Sequence, residues 1–351
     1  MKNAGNKLMS ICLEHPNAKI EVEELPNAKR RVSVCPLDEL ISIPFGSCET
    51  SYPRELIEQI LRVKGPIYLC DEIRREEDPS YAQICLEKNI LGYVDDESFA
   101  HKRLLDFGCG CAASTMILAR MFPTTRIVGV ELSSDLLSIA KLRARHYGFK
   151  HVEFLASPSG KELPENIGEF DFVILSAVFE HLLPNERKVI LHQLWSVLKP
   201  GGVLFIDQTP YRYFPFEGHT SQLPFINYLP DRFAHAVACR FSKRLRRDDS
   251  WESLLRRGIR GSSVREIMGI LRDESGNGHP VLLKPNRFGF RDRIDLWYAG
   301  YAVSITNKYP KAKYIQRIMK YVFKIIYLVS GVVILPTLSL AIRKSERSSS
   351  K

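Results

Sequence analysis

The chain has 351 residues, 45% of them hydrophobic and 26% charged, with a formal net charge of +10. That balance excludes a disordered, collagen-like or low-complexity chain and allows one elaborated domain or two modest ones. The eight cysteines include no CxxC pair of the zinc-site kind, and the first residues, MKNAGNKLMSICLEHPNAK, lack the apolar run of a secretory signal. Reduced thiols in a cytoplasmic protein are the simplest reading, and the positive charge suggests an anionic partner.

Residues 1 to about 50 read as polar and irregular, a lead-in or a few short elements broken by Pro16, Pro26, Pro36 and Pro44. From Pro53 to Val94 the pattern is helical, with Leu56, Ile57, Ile60 and Leu61 on one apolar face. Inside it, the mixed-charge run from Asp71 to Asp78 is expected to be a solvated face, or a lid over the site. After residue 100, strands are predicted at 103–107, 126–132, 151–156, 171–178 and 202–207. Helices are predicted at 113–121, 134–146 and 185–198, the second opened by Ser133-Ser134 and closed near Gly148. Nearly all-apolar strands separated by helices imply an α/β fold, a doubly wound and mainly parallel sheet with ligands at the carboxyl ends of its strands. The expected division is an N-terminal helical cap (1–98), a core (99–210) and a C-terminal elaboration (211–351).

The first strand of the core runs into Asp106-Phe-Gly108-Cys-Gly110-Cys-Ala112-Ala113. Glycines there let the backbone approach a ligand, but Gly108-x-Gly110-x-x-Ala113 also fits a dinucleotide fingerprint. Asp106 argues against a pyrophosphate and for an ammonium group, since a carboxylate repels the one and attracts the other. Glu131 ends the second strand, placed to accept the hydroxyls of a ribose.

LLDFGCGCAAS, VGVEL, FDFVILSAVFEHL and LWSVLKPGGVLFI, in that order and spacing, resemble the successive motifs of class I S-adenosylmethionine-dependent methyltransferases, a likeness covering roughly residues 100–210. The resemblance implies a Rossmann-like methyltransferase fold with S-adenosyl-L-methionine as cofactor. It places Gly108, Gly110 and Ala112 under the methionine part, Glu131 and Leu132 at the ribose, and Asp106 at the amino-acid end, with Ser176 at the edge of the site. Where family members carry an acidic or amide residue for the adenine amino group, this chain reads Ala156-Ser157-Pro158, so Ser157 is the candidate there. A nicotinamide-dependent oxidoreductase and a cofactor-binding module without catalysis are the alternatives from other classes.

Glu180-His181 resembles part of the Glu-x-x-Glu-His metal cluster of ubiquinone-biosynthesis O-methyltransferases, but the position of the first Glu is Ala177, and no metal is expected. His181 would line the site or cap the next helix. The long stretch 211–230, YRYFPFEGHTSQLPFINYLP, follows the fifth strand and should fold over the carboxyl edge of the sheet. His219 is a candidate general base, because imidazole titrates near neutrality. Glu217 would orient it or bind substrate, and Tyr211, Tyr213, Phe214 and Phe216 would wall the pocket. The alternative is that Glu217 and His219 pin the loop.

Arg240, Lys243, Arg244, Arg246, Arg247, Arg256, Arg257 and Arg260 form a basic cluster able to neutralise phosphates, or equally a helix surface paired with Asp248, Asp249 and Glu252, without any RNA-binding signature. Lys313, Arg317, Lys320 and Lys324 form a helical stripe beside apolar residues, which reads as a helix lying in a membrane interface to about residue 331, with a transmembrane anchor and a helix packed into the core as the alternatives. The uncharged run Ile325–Ile342 is near the lower limit for a span, but Gly331 and Pro336 divide it. Its last part alternates like a final antiparallel strand from about 335. The expected reaction is methyl transfer to an oxygen, with nitrogen the alternative, of a small molecule, a glycan or a lipid-linked acceptor, by a cytoplasmic protein for which peripheral attachment to an anionic membrane surface is one of the readings.

Overall fold

Period-two alternation builds a sheet in the segment that the prolines made look irregular. The computed structural model describes residues 10–38, 43–273 and 278–346. Strands β1 (Ser10–Leu13), β2 (Ala18–Glu24), β3 (Arg30–Pro36) and β4 (Ser47–Thr50) form an antiparallel sheet in sequence order. Ala18, Ile20, Val22, Val32 and Val34 all point inward, onto helices α1 (Arg54–Lys64) and α2 (Pro66–Glu77). The N-terminal cap is therefore a sheet with helices, followed by α3 (Ile84–Leu91).

The mixed-charge run lies on α2, and it is no solvated face. Asp71, Glu72 and Glu76 are buried. Glu76 takes hydrogen bonds from Tyr52, Tyr147 and Arg120, and Glu72 takes one from the fully buried Arg143. Charged groups can be buried where each finds a partner of this kind.

The central unit alternates β5 (Arg103–Phe107), α4 (Ala113–Met121), β6 (Arg126–Glu131), α5 (Ser134–Tyr147), β7 (Val152–Ala156), β8 (Phe170–Ser176), α6 (Pro184–Val197) and β9 (Leu198–Pro210). Ser133 caps α5 by accepting from the Leu136 N–H, and Gly148 closes it in the left-handed conformation. The C-terminal segment adds two-residue strands β10 (Phe216–Glu217) and β11 (Leu223–Pro224), then α7 (Asp231–Phe241), α8 (Trp251–Arg256), α9 (Val264–Arg272) and β12 (Pro280–Leu282). The remaining elements are α10 (Arg293–Trp297), α11 (Val303–Lys308), α12 (Lys313–Ser330) and β13 (Thr337–Lys344).

The main sheet runs β12-β13-β9-β8-β5-β6-β7, with β5 to β9 parallel and β13 antiparallel to β9. The order reverses between β5 and β8, which opens a crevice at their carboxyl ends. Both faces are covered: Ile190, Leu194, Trp195 and Ile267 lie over one, and Ile90, Ile117, Leu118 and Leu296 over the other.

Helix α12 ends at a left-handed Gly331, six residues before β13. Its basic stripe is divided. Lys320 and Lys324 turn inward to Asp292 and Asp295, the shortest pair at 2.6 Å, while Lys313 and Arg317 stay exposed. The apolar residues Ile315, Ile318, Ile325, Leu328 and Val329 are 60–85% exposed. Among the described residues no helix is long and apolar enough to cross a membrane. The basic cluster is divided too: Arg256 pairs with Glu186, Arg257 with Asp249 and the buried Arg260 with Asp231, while Arg240, Lys243, Arg244, Arg246 and Arg247 are exposed.

Candidate active site

Beyond Phe107 the chain turns left-handed at Gly108, Gly110 and Ala112 before entering α4. A Cβ on Gly108 would come within 2.7 Å of the Val178 side chain, so only glycine lets the loop from β5 pass beside the end of β8. The loop is tied to β6. Gly108 and Cys109 donate to the Val130 carbonyl at 2.8 and 3.1 Å, and Gly110 donates to Glu131 Oε2 at 2.9 Å. Glu131 Oε1 accepts from the backbone N–H groups of Leu132 and Ser133. Three bonds fix this carboxylate at the rim and leave part of its acceptor capacity unused.

The loop and the ends of β6 and β8 enclose a cavity of about 310 Å³. Of the expected cofactor residues, Gly108, Glu131, Leu132 and Ser157 line it; Asp106, Gly110, Ala112 and Ser176 do not. Asp106 lies beneath the floor, 2% exposed, and accepts from Thr115 Oγ1 at 2.6 Å. Burial pushes its pKa up to about 6. Ser176 ends β8, and Ala177 and Val178 take the place on the wall. The Ser157 hydroxyl lies 2.6 Å from the Glu162 carbonyl and 2.9 Å from that of Ser159. Its single proton is thus committed to its own loop, and toward a ligand it offers only lone pairs.

Sequence reasoning missed the support behind the loop. Arg143 donates to the Cys111 carbonyl at 2.7 Å and to the Glu72 carbonyl at 2.9 Å, joining α5, the glycine loop and α2. Against the upward push of burial, this guanidinium holds the Glu72 carboxyl below its ordinary value. The available signal was an arginine on the face of α5 that also carries Ala140 and Ala144.

A second cavity, about 620 Å³, opens past the ends of β8 and β9. Tyr211, Phe214 and Phe216 line it, as expected, with Trp297, Tyr301 and Met319 opposite. Tyr213 is not on this wall; it packs edge-on against Tyr211, ring centroids 5.8 Å apart. Glu217 is 3% exposed, and its oxygens accept from the N–H groups of His219, Thr220 and Ser221 and from Ser221 Oγ. It borders the cavity while its carboxylate organises the turn that carries His219.

Ala177 borders both cavities and has φ 54°, an unusual angle for a residue with a side chain. Beside it, one ligating atom each of Glu180, His181 and His219 lies within 4.8 Å of the others. His181 Nδ1 is 2.7 Å from the Arg256 carbonyl, and His219 Nδ1 is 2.9 Å from that of Arg257. A carbonyl only accepts, so each ring carries its proton on Nδ1 and leaves Nε2 as a lone pair. Glu180 is fully buried; its Oε2 accepts from Thr209 Oγ1 at 3.1 Å, while Oε1 accepts no hydrogen bond from any described residue. Burial pushes Glu180 up to about 7 and lowers His181.

A doubly wound sheet with a glycine loop and an acidic residue at the ends of adjacent strands defines a nucleotide-cofactor protein. Residues 104–202 match the family model described as a methyltransferase domain, and the relatives found include S-adenosylmethionine-dependent methyltransferase homologues. The chain is 30% identical over 144 residues to a mitochondrial ubiquinone biosynthesis O-methyltransferase of Saccharomyces cerevisiae, covering 40% of this chain and 41% of that protein. It is 35% identical over 108 residues to a trans-aconitate 2-methyltransferase of Rhodopseudomonas palustris, covering 30% and 38%. A putative sarcosine dimethylglycine methyltransferase from Galdieria sulphuraria aligns in structure at 16% identity with a TM-score of 0.40, over 70% of this chain and 79% of that one. The chain spans half or less of the length of the first curated relatives it matches.

Proposed function

We propose that this protein transfers the methyl group of S-adenosyl-L-methionine to an oxygen of an acceptor bound in the 620 Å³ cavity. The observation that carries the reading is the meeting of the two cavities at Ala177, with Glu180, His181 and His219 at the junction. The smaller cavity fits the cofactor: no side chain rises from Gly108 on its wall, and the Glu131 carboxylate stands at the rim for a ribose. When bound there, the cofactor supplies an electrophilic methyl carbon on a sulfonium.

The chain's own residues would align the acceptor, exclude water and receive its proton. Tyr211, Phe214 and Phe216 form the dry wall on one side. His219 Nε2, or that of His181, is the lone pair available for the acceptor's proton. Glu217 holds the His219 turn in place and is a positioning residue. Asp106, below the cavity floor, acts on the cofactor's amino-acid end only through the glycine loop or a bridging water.

Calorimetric titration with S-adenosyl-L-methionine and its demethylated product tests the cofactor reading. Both should bind, and Glu131→Ala should weaken them by about ten- to a hundredfold, the worth of hydrogen bonds to a charged group. No binding to the folded wild-type protein would overturn it.

The acceptor class follows from α12. Its inward residues Gln316 and Met319 line the acceptor cavity, while Ile315, Ile318, Ile325, Leu328 and Val329 face outward. An exposed apolar helix face flanked by Lys313 and Arg317, on a chain of net charge +10, suits the surface of an anionic bilayer. The acceptor is accordingly a lipid-linked molecule reached from that surface. The protein should co-sediment with vesicles containing phosphatidylglycerol far more than with phosphatidylcholine alone, and Ile318→Asp/Leu328→Asp should abolish this. Equal retention by the double variant would remove the membrane reading.

A further inference from the structure

The three groups at the junction of the cavities share a property that proton transfer alone does not require. Both imidazoles are fixed in the same tautomer by consecutive backbone carbonyls, those of Arg256 and Arg257 at the end of α8. Histidines that bind metal show this arrangement, the far ring nitrogen donating to a carbonyl or carboxylate that sets the tautomer and the ring plane. The third group, Glu180, is fully buried with one oxygen held by Thr209, while the other accepts no hydrogen bond from any described residue and lies 3.9 Å from His181 Nε2. A buried carboxylate oxygen without a donor is costly unless something else fills the position.

The space between them is kept clear by the backbone. Gly258 follows the two accepting carbonyls with φ 88°, and a Cβ there would meet the His219 ring at 2.9 Å and Glu180 Cγ at 3.1 Å. Glycine is needed twice, for the turn and for the cluster. Ala177, three residues before Glu180, offers no ligand, and the loop after β9 supplies one in its place by bringing His219, 38 residues beyond His181, to the same point.

We propose that Glu180, His181 and His219 form a three-ligand site for a divalent transition-metal ion of the zinc type, with its open position toward the acceptor cavity. Two imidazoles and a carboxylate are a donor set that such ions accept, with an exchangeable fourth position. Metal–ligand bonds of about 2.0–2.2 Å would set the ligand atoms roughly 3.4 Å apart in a tetrahedron. The present separations of up to 4.8 Å close to that by small side-chain rotations. The inference rests on the methyl-transfer reading only for what the ion would do. An acceptor hydroxyl at the open position would lose its proton to solvent more readily and be held as the attacking oxygen. Coordination would then take the place of direct proton uptake by an imidazole.

The test is metal binding itself. Full-length protein, stripped with chelator and dialysed, is titrated with zinc chloride by calorimetry, and its cobalt(II) form is followed by visible ligand-field absorption. One equivalent should bind, and His181→Ala, His219→Ala and Glu180→Gln should each weaken binding more than about a hundredfold and remove the cobalt bands. Gly258→Ala, which removes no ligand, should weaken it as well by crowding the site. Circular dichroism and S-adenosyl-L-methionine titration on each variant show that it is folded. Failure of the wild-type protein to bind zinc while it binds the cofactor, or zinc binding that the substitutions leave unchanged, would overturn the metal site and leave methyl transfer standing. Zinc binding lost in the variants, in a protein that ignores the cofactor, would support the site while removing the methyl-transfer reading.

Discussion

Asp106 is the residue at which stability and ligand binding pull apart. Burial raises its pKa from 3.8 to about 6, so folding favours its protonated form. The associated stability is fully present below about pH 3.8 and is lost as pH rises through about 6. At pH 7.5 the buried carboxylate costs up to roughly 3 kcal/mol, the equivalent of about two pKa units. Asp106→Asn keeps an oxygen for Thr115, and thermal unfolding should show it several degrees more stable than wild type at pH 7.5, with the gap closing toward pH 4.5. A gap independent of pH would mean that the carboxylate is not the source. Legibility in the sequence also divided residue by residue. Gly108 and Glu131 were readable because local backbone geometry fixes where they go. The Ser157 hydroxyl was not, because its partners are carbonyls of its own loop, at Ser159 and Glu162. Nothing in sequence spacing places His219 beside Glu180, since that contact depends on where α8 ends.

Among the elements, the glycine loop is braced from behind by a helix outside the central sheet. Arg143 ties α5 to the Cys111 carbonyl and to Glu72 on α2. Arg143→Met should leave the buried Glu72 with only the more distant Lys64, 3.9 Å away, and destabilise the protein by up to about 3–5 kcal/mol. Denaturant unfolding measures that loss, and cofactor affinity should fall with it. A second brace holds α12, where Lys320 and Lys324 meet Asp292 and Asp295. Asp292→Asn/Asp295→Asn should make α12 more accessible to limited proteolysis while leaving cofactor affinity unchanged. The N-terminal sheet shows what sequence reading lost at this scale. Lys19-Ile-Glu-Val-Glu-Glu and Arg31-Val-Ser-Val alternate in period two, but each run is short and flanked by prolines, and one strand of such a sheet carries little signal without its neighbours. The strands of the central sheet were legible because burial on both faces makes them nearly continuous apolar runs.

The whole molecule depends on its last strand. β13 lies between β9 and β12, and Leu338, Leu340, Ala341 and Ile342 are at most 3% exposed. The three larger side chains are each worth about 1.5–3 kcal/mol of burial. A chain ending at residue 330 should therefore express as insoluble or unfolded protein, even though it keeps the whole segment that matches the methyltransferase domain. Expression and circular dichroism of that truncation check it. For the same reason, the part played by α12 can be examined only by substitution within the helix. That helix has one side on the acceptor cavity and the other on solvent. A rigid body that touches two ligands joins their equilibria, and the coupling runs both ways. If a lipid surface on the outer side increases acceptor affinity tenfold, acceptor in the cavity must increase affinity for the surface tenfold. Enzyme with substrate bound would then stay on the membrane, and enzyme that has released product would leave it.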